Sequence, residues 1–258
     1  MSKQSNDYRS ENKNEGDQWI WGRHSVEAAL EVCPEWMLEL MVEIEAEKEH
    51  QDIIEACGDQ GISHLRAAKL PSLLKDRRHQ GIAAKIKRFP FEYFNQFRDQ
   101  LIELVRGGGV FAVLDRVQDP QNYGAILRSA AGLGVKAVLV AQKHQCPLTG
   151  AVAQASAGAL FRVPIVLCPS LSTALDTMKE AGARVYSLDM EGKAIDQLDL
   201  RGDKRPKALA WVLGSEGQGV RDDLAKRSDE VCAIKLHGGL ESLNVSATAA
   251  IAFFASRD

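Results

Sequence analysis

The chain has 258 residues, 45% of them hydrophobic and 26% charged, which is enough apolar material for one large domain or two smaller ones. The formal net charge of −3 excludes a basic field over the whole chain, so a nucleic-acid-binding surface would have to be a local patch. No run approaches the roughly 18–20 apolar residues of a membrane span.

The N-terminal segment and the cysteines indicate a cellular compartment. Residues 1–18 are polar and mixed in charge, without the apolar segment of a secretory signal, and we predict a disordered tail there. The five cysteines are odd in number, scattered and without a C-x-x-C pair, which argues against a disulfide framework or a zinc site. We therefore predict a cytoplasmic protein that holds no metal. The cysteines are Cys33, Cys57, Cys146, Cys168 and Cys232.

Residues 19–88 are typical of a small α/β unit, because segments with helical spacing of apolar residues alternate with short strand-like runs. The start of one helix is uncertain from the sequence, because Pro71 interrupts its pattern. The predicted elements are helices over 21–31, 50–57 and 67–74 and strands over 38–44, 62–65 and 81–86.

Charge is divided within this unit. Acidic residues cluster between Glu39 and Glu55, and basic residues follow in a later group. Such a run is often simply a solvated face, and the alternative is a surface that contacts phosphates. Within the basic group, the turn Arg77-Arg78-His79-Gln80 is the segment that we expect to contact RNA. The basic group consists of Lys75, Arg77, Arg78, Lys85, Lys87 and Arg88.

The sequence changes in character after residue 89. We predict a transition that leads into an amphipathic helix over 94–106, ended by Gly107-Gly108-Gly109, and place the domain boundary within 89–106. Continuous apolar runs then alternate with helical segments, which predicts an α/β fold with a mostly parallel sheet covered on both faces. The predicted strands cover 110–114, 135–141, 163–167, 183–188, 209–213 and 231–236, and a final helix covers 245–256.

The glycine clusters do not match common nucleotide-binding templates. Gly107-Gly108-Gly109 precedes its strand, whereas a dinucleotide-binding loop follows one. The segment 214–219 does follow a strand, but it has neither the G-x-G-x-x-G spacing nor a P-loop lysine. Its glycines would allow backbone to approach a ligand closely.

Three loops carry candidate functional residues, each with a plain structural alternative. Asn122 follows a proline turn and could be a helix N-cap, with Arg128 six residues later among small neighbours. Glu216 lies between glycines and could be an exposed turn residue. Ser242 and Asn244 precede the final helix and could cap it. Because ligands bind beyond the carboxyl ends of parallel strands, the three loops are expected to converge.

Taken together and in order, these loops resemble a known family. The first segment is Asn122-x5-Arg128-x3-Gly132-x-Gly134, the second is Gly214-x-Glu216-Gly217-x-Gly219, and the third is Ser242-Leu243-Asn244-Val245-Ser246. They are similar to the three motifs of the SpoU/TrmH class of SPOUT RNA 2′-O-ribose methyltransferases, and most similar to the bacterial large-subunit rRNA guanosine enzymes. The segments Trp21-Gly22-Arg23-His24-Ser25-Val26 and His79-Gln80-Gly81 resemble an L30e-like substrate-binding domain.

The resemblance implies a C-terminal trefoil knot over residues 89–258, an L30e-like RNA-binding domain over 19–88 and a homodimer that acts on structured RNA, with rRNA as the expected substrate. It implies S-adenosylmethionine as the cofactor, bound at Leu188, Gly214, Glu216, Gly217, Gly219, Ile234 and Leu243. Catalytic roles carry over to Arg128, Asn122, Glu216, Ser242 and Asn244. Expected RNA contacts are Arg23, His24, Arg77, Arg78, His79 and Gln80. One departure is Lys235, which stands where the family usually has proline.

The chemistry expected of Arg128 follows from the general behaviour of arginine, which keeps its proton in proteins, so literal deprotonation of a hydroxyl by this side chain is difficult. We expect a charged guanidinium that lowers the pKa of the ribose hydroxyl and holds the adjacent phosphate through two hydrogen bonds. Two alternatives remain at this point: a tRNA ribose methyltransferase of the same class, and a knotted RNA-binding protein without catalysis.

Overall fold

The structure is a computed structural model that describes residues 18–215, 217–240 and 242–257. The predicted N-terminal tail therefore lies outside the described residues, except for Gln18, which begins the first strand. The chain divides into two compact units. The first contains the described residues up to Phe89 together with Leu148–Gln154, and the second contains the remainder from Pro90 onwards.

The first unit contains a four-stranded mixed sheet in the order β1-β4-β2-β3. Strand β4 is antiparallel to both β1 and β2, whereas β2 and β3 are parallel. The elements are β1 (Gln18–Trp21), α1 (Arg23–Val32), β2 (Met37–Glu43), α2 (Gln51–Asp59), β3 (Ser63–Ala67) and β4 (Ile82–Ile86).

Two predictions for the first unit are wrong. The helix predicted over 67–74 is absent: β3 runs to Ala67, and only the single 3-10 turn Ser72–Leu74 follows. Pro71 disfavours helical backbone in the residue before it and has no N–H to donate. The helix predicted to begin at Trp21 begins at Arg23, because the preceding β-branched and aromatic residues pair with β4 as a strand.

The second unit contains a seven-stranded sheet in the order β11-β9-β10-β6-β7-β8-β5, and every neighbouring pair is parallel. The predicted parallel α/β fold is confirmed. Between β7 and β8, the helix α5 (Gly150–Ala155) lies almost wholly in the segment Leu148–Gln154 of the first unit. The elements of the second unit are β5 (Glu92–Tyr93), α3 (Phe94–Gly107), β6 (Gly109–Leu114), α4 (Pro120–Gly132), β7 (Val138–Ala141), β8 (Ile165–Cys168), α6 (Leu171–Glu180), β9 (Arg184–Ala194), β10 (Ala208–Leu213), α7 (Asp222–Ala225), β11 (Glu230–Ala233) and α8 (Val245–Ser256).

Apolar periodicity explains how this sheet is covered. Helix α3 buries Phe94, Phe97, Leu101 and Val105, which lie three or four residues apart and so share one face. The central strands β6 and β10 are almost entirely buried, as their continuous apolar runs predict. Within the described ranges, no helix is long and apolar enough to cross a membrane.

The register of the central strands positions the loops that follow them. Leu114 at the end of β6 pairs with Leu213 at the end of β10. The backbone N–H of Asp115 donates to the carbonyl oxygen of Leu213 at 2.8 Å. The loop after β6 and the loop after β10 therefore leave the sheet side by side at its carboxyl edge, where open α/β sheets bind ligands.

Candidate functional site

A cavity of about 780 Å³ lies at the carboxyl edge of the sheet in the second unit. Its walls are formed by residues within β9 and by the segments that follow β10 and β11. Six of the seven positions predicted to bind the cofactor line it, and the seventh, Glu216, lies outside the described residues. The six lining positions are Leu188, Gly214, Gly217, Gly219, Ile234 and Leu243.

The loop after β10, residues 214–219, is called the glycine loop below. Ser215 and Gly219 exchange two backbone hydrogen bonds, at 3.2 and 3.0 Å, which close the loop into a tight turn. A Cβ on Gly214 would lie 1.9 Å from the carbonyl carbon of Gly219, so only glycine fits. Gly217 has a φ of 87° and Gly219 a φ of 64°, which glycine adopts without strain. Main chain therefore forms this wall of the cavity.

The segment that leads into α8 also lines the cavity, through Ser242, Leu243 and Asn244. Asn244 is the N-cap: its Oδ1 accepts from the backbone N–H of Ser246 at 2.8 Å and from the Ser246 hydroxyl at 2.6 Å. The capping alternative is thus correct for Asn244 and wrong for Ser242. Capping does not occupy all of the Asn244 amide, because its Nδ2 donates to Oδ1 of Asn122 at 2.9 Å.

Asn122 does not cap helix α4, so the capping alternative is wrong for this residue. Asp119 is the N-cap, since its Oδ1 accepts from the backbone N–H of Gln121 at 3.0 Å, and Pro120 is the first helical residue. An Asp-Pro pair satisfies both the capping and the first-position preferences of a helix. Asn122 is therefore inside the helix, 7% exposed, and its side chain is available for the contact with Asn244.

Arg128 lies on α4 and is exposed. Among residues 18–215, 217–240 and 242–257, nothing forms a hydrogen bond or ion pair with its guanidinium, and Arg128 is not one of the residues that line the cavity. The structure thus joins Asn122 to the third loop and leaves Arg128 able to bind an external anion.

A buried ion-pair network that the sequence interpretation missed supports the glycine loop. Asp115 is fully buried, and its carboxylate accepts from the backbone N–H of Arg221 at 3.1 Å and from Nε of Arg221 at 2.9 Å. Arg116 lies 3.4 Å from the same carboxylate and also donates to Gln218 in the glycine loop. The available signal was an Asp-Arg pair directly after a buried strand, since a carboxylate there needs a partner.

The cysteines are all buried. Burial raises the pKa of the Cys146 thiol to about 11 and that of Cys232 to about 12, so almost none of either is thiolate at neutral pH. These thiols are therefore poor nucleophiles. Within the described part of the chain, no group of three or more His, Cys, Asp or Glu side chains could hold a metal ion.

Arg23, an expected RNA contact in the first unit, is held by acidic groups. Its guanidinium pairs with Glu27 at 2.8 Å and with Asp52, and donates to the carbonyl oxygen of Glu49 at 2.7 Å. The hydrogen bond with Asp52 raises the pKa of Arg23 further. The neighbouring His24 is exposed beside Glu27. Arg23 therefore contributes little free positive charge.

The turn at residues 75–80 is called the basic turn below. Unlike Arg23, its basic side chains are not paired with described acidic groups. Lys75, Arg77 and Arg78 are exposed, and no ion pair involves them within the described ranges. The backbone of the turn is anchored: Nε2 of His50 bonds the carbonyl oxygen of Gln80 at 2.8 Å. The basic side chains are therefore attached to an anchored backbone.

Three further hydrogen bonds hold the basic turn in place. The Gly81 N–H donates to Nδ1 of His79 at 3.0 Å, and the Arg23 N–H donates to Oε1 of Gln80, also at 3.0 Å. Nε2 of Gln154, which belongs to the same unit, donates to the carbonyl oxygen of Arg78 at 2.5 Å. His79 and Gln80 therefore shape the turn, whereas Lys75 and Arg78 are exposed and the guanidinium of Arg77 lies over the ring of Trp21 at 5.7 Å.

Comparison with known proteins agrees with this geometry. Residues 109–254 match the SpoU rRNA Methylase family, and residues 19–92 match the family described as RNA 2′-O ribose methyltransferase substrate binding. The chain is 33% identical over 245 residues to the 23S rRNA (guanosine-2′-O-)-methyltransferase RlmB of Xylella fastidiosa, covering 93% of this chain and 96% of that protein. It is 30% identical to RlmB of Bordetella pertussis over 243 residues, covering 93% and 96%.

Solved structures share the fold. The SpoU methyltransferase AviRb from Streptomyces viridochromogenes, in complex with AdoMet, superimposes with a TM-score of 0.74 at 21% identity, covering 93% of this chain and 89% of that one. An AdoMet-bound rRNA methyltransferase from Sinorhizobium meliloti gives a TM-score of 0.72 at 19% identity, covering 93% and 86%. The chain belongs to the SpoU rRNA methylase family of RNA 2′-O-ribose methyltransferases.

Proposed function

We propose that this protein methylates the ribose 2′-hydroxyl of a guanosine in large-subunit rRNA, with S-adenosylmethionine as the methyl donor. The hydrogen bond between Asn122 and Asn244 carries the proposal, because it ties the first motif to the third beside the cavity that the second motif lines. The RlmB relatives, which match over nearly the whole chain, support the choice of rRNA guanosine as the substrate.

The cavity suits the proposed cofactor. Apolar side chains, including Leu213, Ile234 and Val245, provide a surface for an adenine ring, and the main chain of the glycine loop provides hydrogen-bonding groups at close range. When bound there, S-adenosylmethionine supplies an electrophilic methyl group. Leu188, Gly214, Gly217, Gly219, Ile234 and Leu243 would hold it, and Glu216 is proposed to join them on the basis of its sequence position alone.

The residues of this chain have to orient the ribose hydroxyl and stabilise the charge that forms on its oxygen. We assign the second task to Arg128, whose guanidinium stays protonated and can bind a phosphate through two parallel hydrogen bonds. The proton leaves to water or to a nearby oxygen, for which Glu216 is one candidate. Asn122, Ser242 and Asn244 hold the third loop in position.

The RNA substrate is proposed to contact the first unit, as an L30e-like domain over 19–88 that precedes a methyltransferase domain over 89–258. The basic turn supports this, because its cations form no ion pair with the described residues and counterion release from phosphates favours RNA binding. Arg77 and Arg78 would contact the phosphates, with His79 and Gln80 shaping the turn. Arg23 and His24 would lie behind them, because Arg23 is already paired with Glu27 and Asp52.

A homodimer is proposed for the active form. Helix α8 is apolar nearly all round, yet Ile251 and Phe254 remain 38% and 47% exposed, which is typical of a surface that a second copy covers. Light scattering should give the mass of a dimer for the wild type and of a monomer for Phe254→Asp. Leu65→Asp, at a similarly exposed position in the first unit, should stay dimeric.

A trefoil knot and a cytoplasmic location complete the proposal. The knot is supported by the shared cavity, since the segment before α8 lines it together with residues of β9 and the loop after β10. A crystal structure traced through residues 188–194 and 234–244 tests the threading. The cytoplasmic location is supported by five unpaired cysteines, which suit a reducing compartment.

The function is tested by mapping ribose methylation, by mass spectrometry, in rRNA and tRNA from a strain that lacks the gene. One 2′-O-methylguanosine of large-subunit rRNA should disappear and return with the wild-type gene, but not with Arg128→Lys. Loss of a tRNA methylation instead would establish the alternative substrate. An unchanged methylation pattern in both RNAs, together with no binding of S-adenosylhomocysteine, would refute catalysis.

A further inference from the structure

Arg116 follows β6 and has a φ of 62°, in the left-handed region that favours glycine. A side chain at such a position costs free energy, and this cost is commonly tolerated where the surrounding contacts over-determine the conformation. Arg116 lies outside the three motifs. Its side chain is only 24% exposed, so it faces protein.

The contacts of Arg116 explain why the conformation is retained. One terminal nitrogen donates to Oε1 of Gln218 at 2.9 Å, and the other reaches the carbonyl oxygen of Gly219 at 3.5 Å and the carboxylate of Asp115 at 3.4 Å. Gln218 and Gly219 both line the cavity. Arg116 thus ties the end of the glycine loop to the end of β6, since a planar guanidinium can bridge several oxygens at once.

Arg116 belongs to a cluster of two arginines and two carboxylates. Asp115 lies between the guanidinium groups of Arg116 and Arg221, and Arg221 also lies 3.8 Å from Asp223. The Asp115 carboxylate is fully buried, and its contacts hold both arginines in place.

The contact with Arg116 also determines which way the Gln218 amide faces. A guanidinium has only donors, so the amide must turn its oxygen towards Arg116. The Nε2 group is left with two donors, and no other residue in the described parts of the chain accepts from it. Gln218 therefore offers fixed N–H donors at the lining of the cavity.

We propose that Arg116 is a positioning residue that sets the glycine loop and turns Gln218 so that its Nε2 donates to an anionic oxygen of the bound ligand. That oxygen belongs either to the carboxylate of the cofactor or to a phosphate of the RNA. The inference rests on the proposed function, because it requires that the cavity bind the cofactor.

The decisive variant is Gln218→Glu. A carboxylate at this exposed position still accepts from Arg116, which keeps the loop tied, but it has no donor for an anion and repels one. Calorimetry compares S-adenosylhomocysteine, which has the carboxylate, with 5′-methylthioadenosine, which lacks it. If the cofactor carboxylate is the acceptor, S-adenosylhomocysteine should bind about tenfold more weakly, as expected for one lost hydrogen bond to an ion, and methylthioadenosine should bind as before.

If an RNA phosphate is the acceptor, both small molecules should bind Gln218→Glu normally, and the KM for RNA should rise about tenfold with kcat retained. Arg116→Lys should weaken the binding of both small molecules, because a lysine makes one contact where the guanidinium makes several. Arg98→Lys, on the exposed side of α3, is the matched control.

The outcomes separate the two proposals. Wild-type protein that fails to bind S-adenosylhomocysteine would refute the proposed function. Wild-type protein that binds it, with both variants equal to wild type in small-molecule affinity and in the KM for RNA, would overturn the inference about Arg116 and Gln218. A loss of thermal stability in Arg116→Lys with unchanged ligand affinity would also overturn it, because a purely structural role produces that pattern.

Discussion

The cavity in the second unit and the basic turn in the first unit are both expected to contact ligand, but they are built differently. In the cavity, sterics and hydrogen bonds fix the wall: Gly214 has no room for a Cβ, and Asn244 is bonded on both sides. In the basic turn, the backbone is anchored through Gln80, while no cation forms an ion pair with another residue that the structure describes. Substitutions should therefore act through shape in the cavity and through salt-dependent electrostatics in the turn.

The largest effect is expected for Arg128→Lys, which keeps the charge but loses the paired donors of the guanidinium. Turnover should fall about 100-fold, as for other groups that stabilise charge in a transition state, while the Kd for RNA changes little. Single-turnover kinetics and filter binding measure the two quantities, with Arg98→Lys as the control. Near-wild-type turnover would show that Arg128 acts only as a point charge.

Gly214→Ala should have the second-largest effect, and it should act on cofactor binding. The added Cβ would meet the backbone of Gly219 and Val220, so the glycine loop has to move and the affinity for S-adenosylmethionine should fall about tenfold or more. Gly132→Ala is the control, because apart from its chain neighbours and its own helix backbone no described residue has an atom within 4 Å of the added Cβ, and alanine favours a helix. Equal cofactor affinity in the two variants would contradict a wall shaped by close backbone contact.

Asn244→Ala should cost about 1 kcal/mol of stability through the lost cap and should also weaken cofactor binding, because the contact with Asn122 is lost. Asn122→Ala removes that contact and leaves the cap intact. A double-mutant cycle should give a coupling energy of about 1 kcal/mol in cofactor binding. A lower melting temperature in Asn244→Ala with unchanged cofactor affinity would reduce Asn244 to a helix cap.

The smallest effects are expected in the basic turn. Arg77→Gln and Arg78→Gln should each weaken RNA binding a few-fold, and each should reduce the slope of log Kd against log salt by about 0.7–0.9 if it neutralises one phosphate. Arg66→Gln is the control, since that guanidinium already pairs with Glu47 at 2.6 Å. An unchanged slope in both turn variants would place the RNA on another surface.

Local patterns were sufficient for the framework of the second unit. Its buried strands are continuous apolar runs, and the three motif segments occur in a fixed order, so the parallel sheet and the family could both be read from the residues. The same patterns misled in the first unit, where Pro71 ended a predicted helix and a tryptophan-rich segment paired as β1. Propensities there were close enough for strand pairing to outweigh them.

Contacts between residues distant in sequence depended on the folded chain. Asn122 and Asn244 are 122 residues apart, and both resemble helix caps; the fold made one a cap and buried the other as its partner. Arg116 and Gln218 likewise meet across 102 residues because β6 and β10 are neighbours in the sheet. Side-chain roles of this kind come from strand register and helix packing, which local periodicity does not encode.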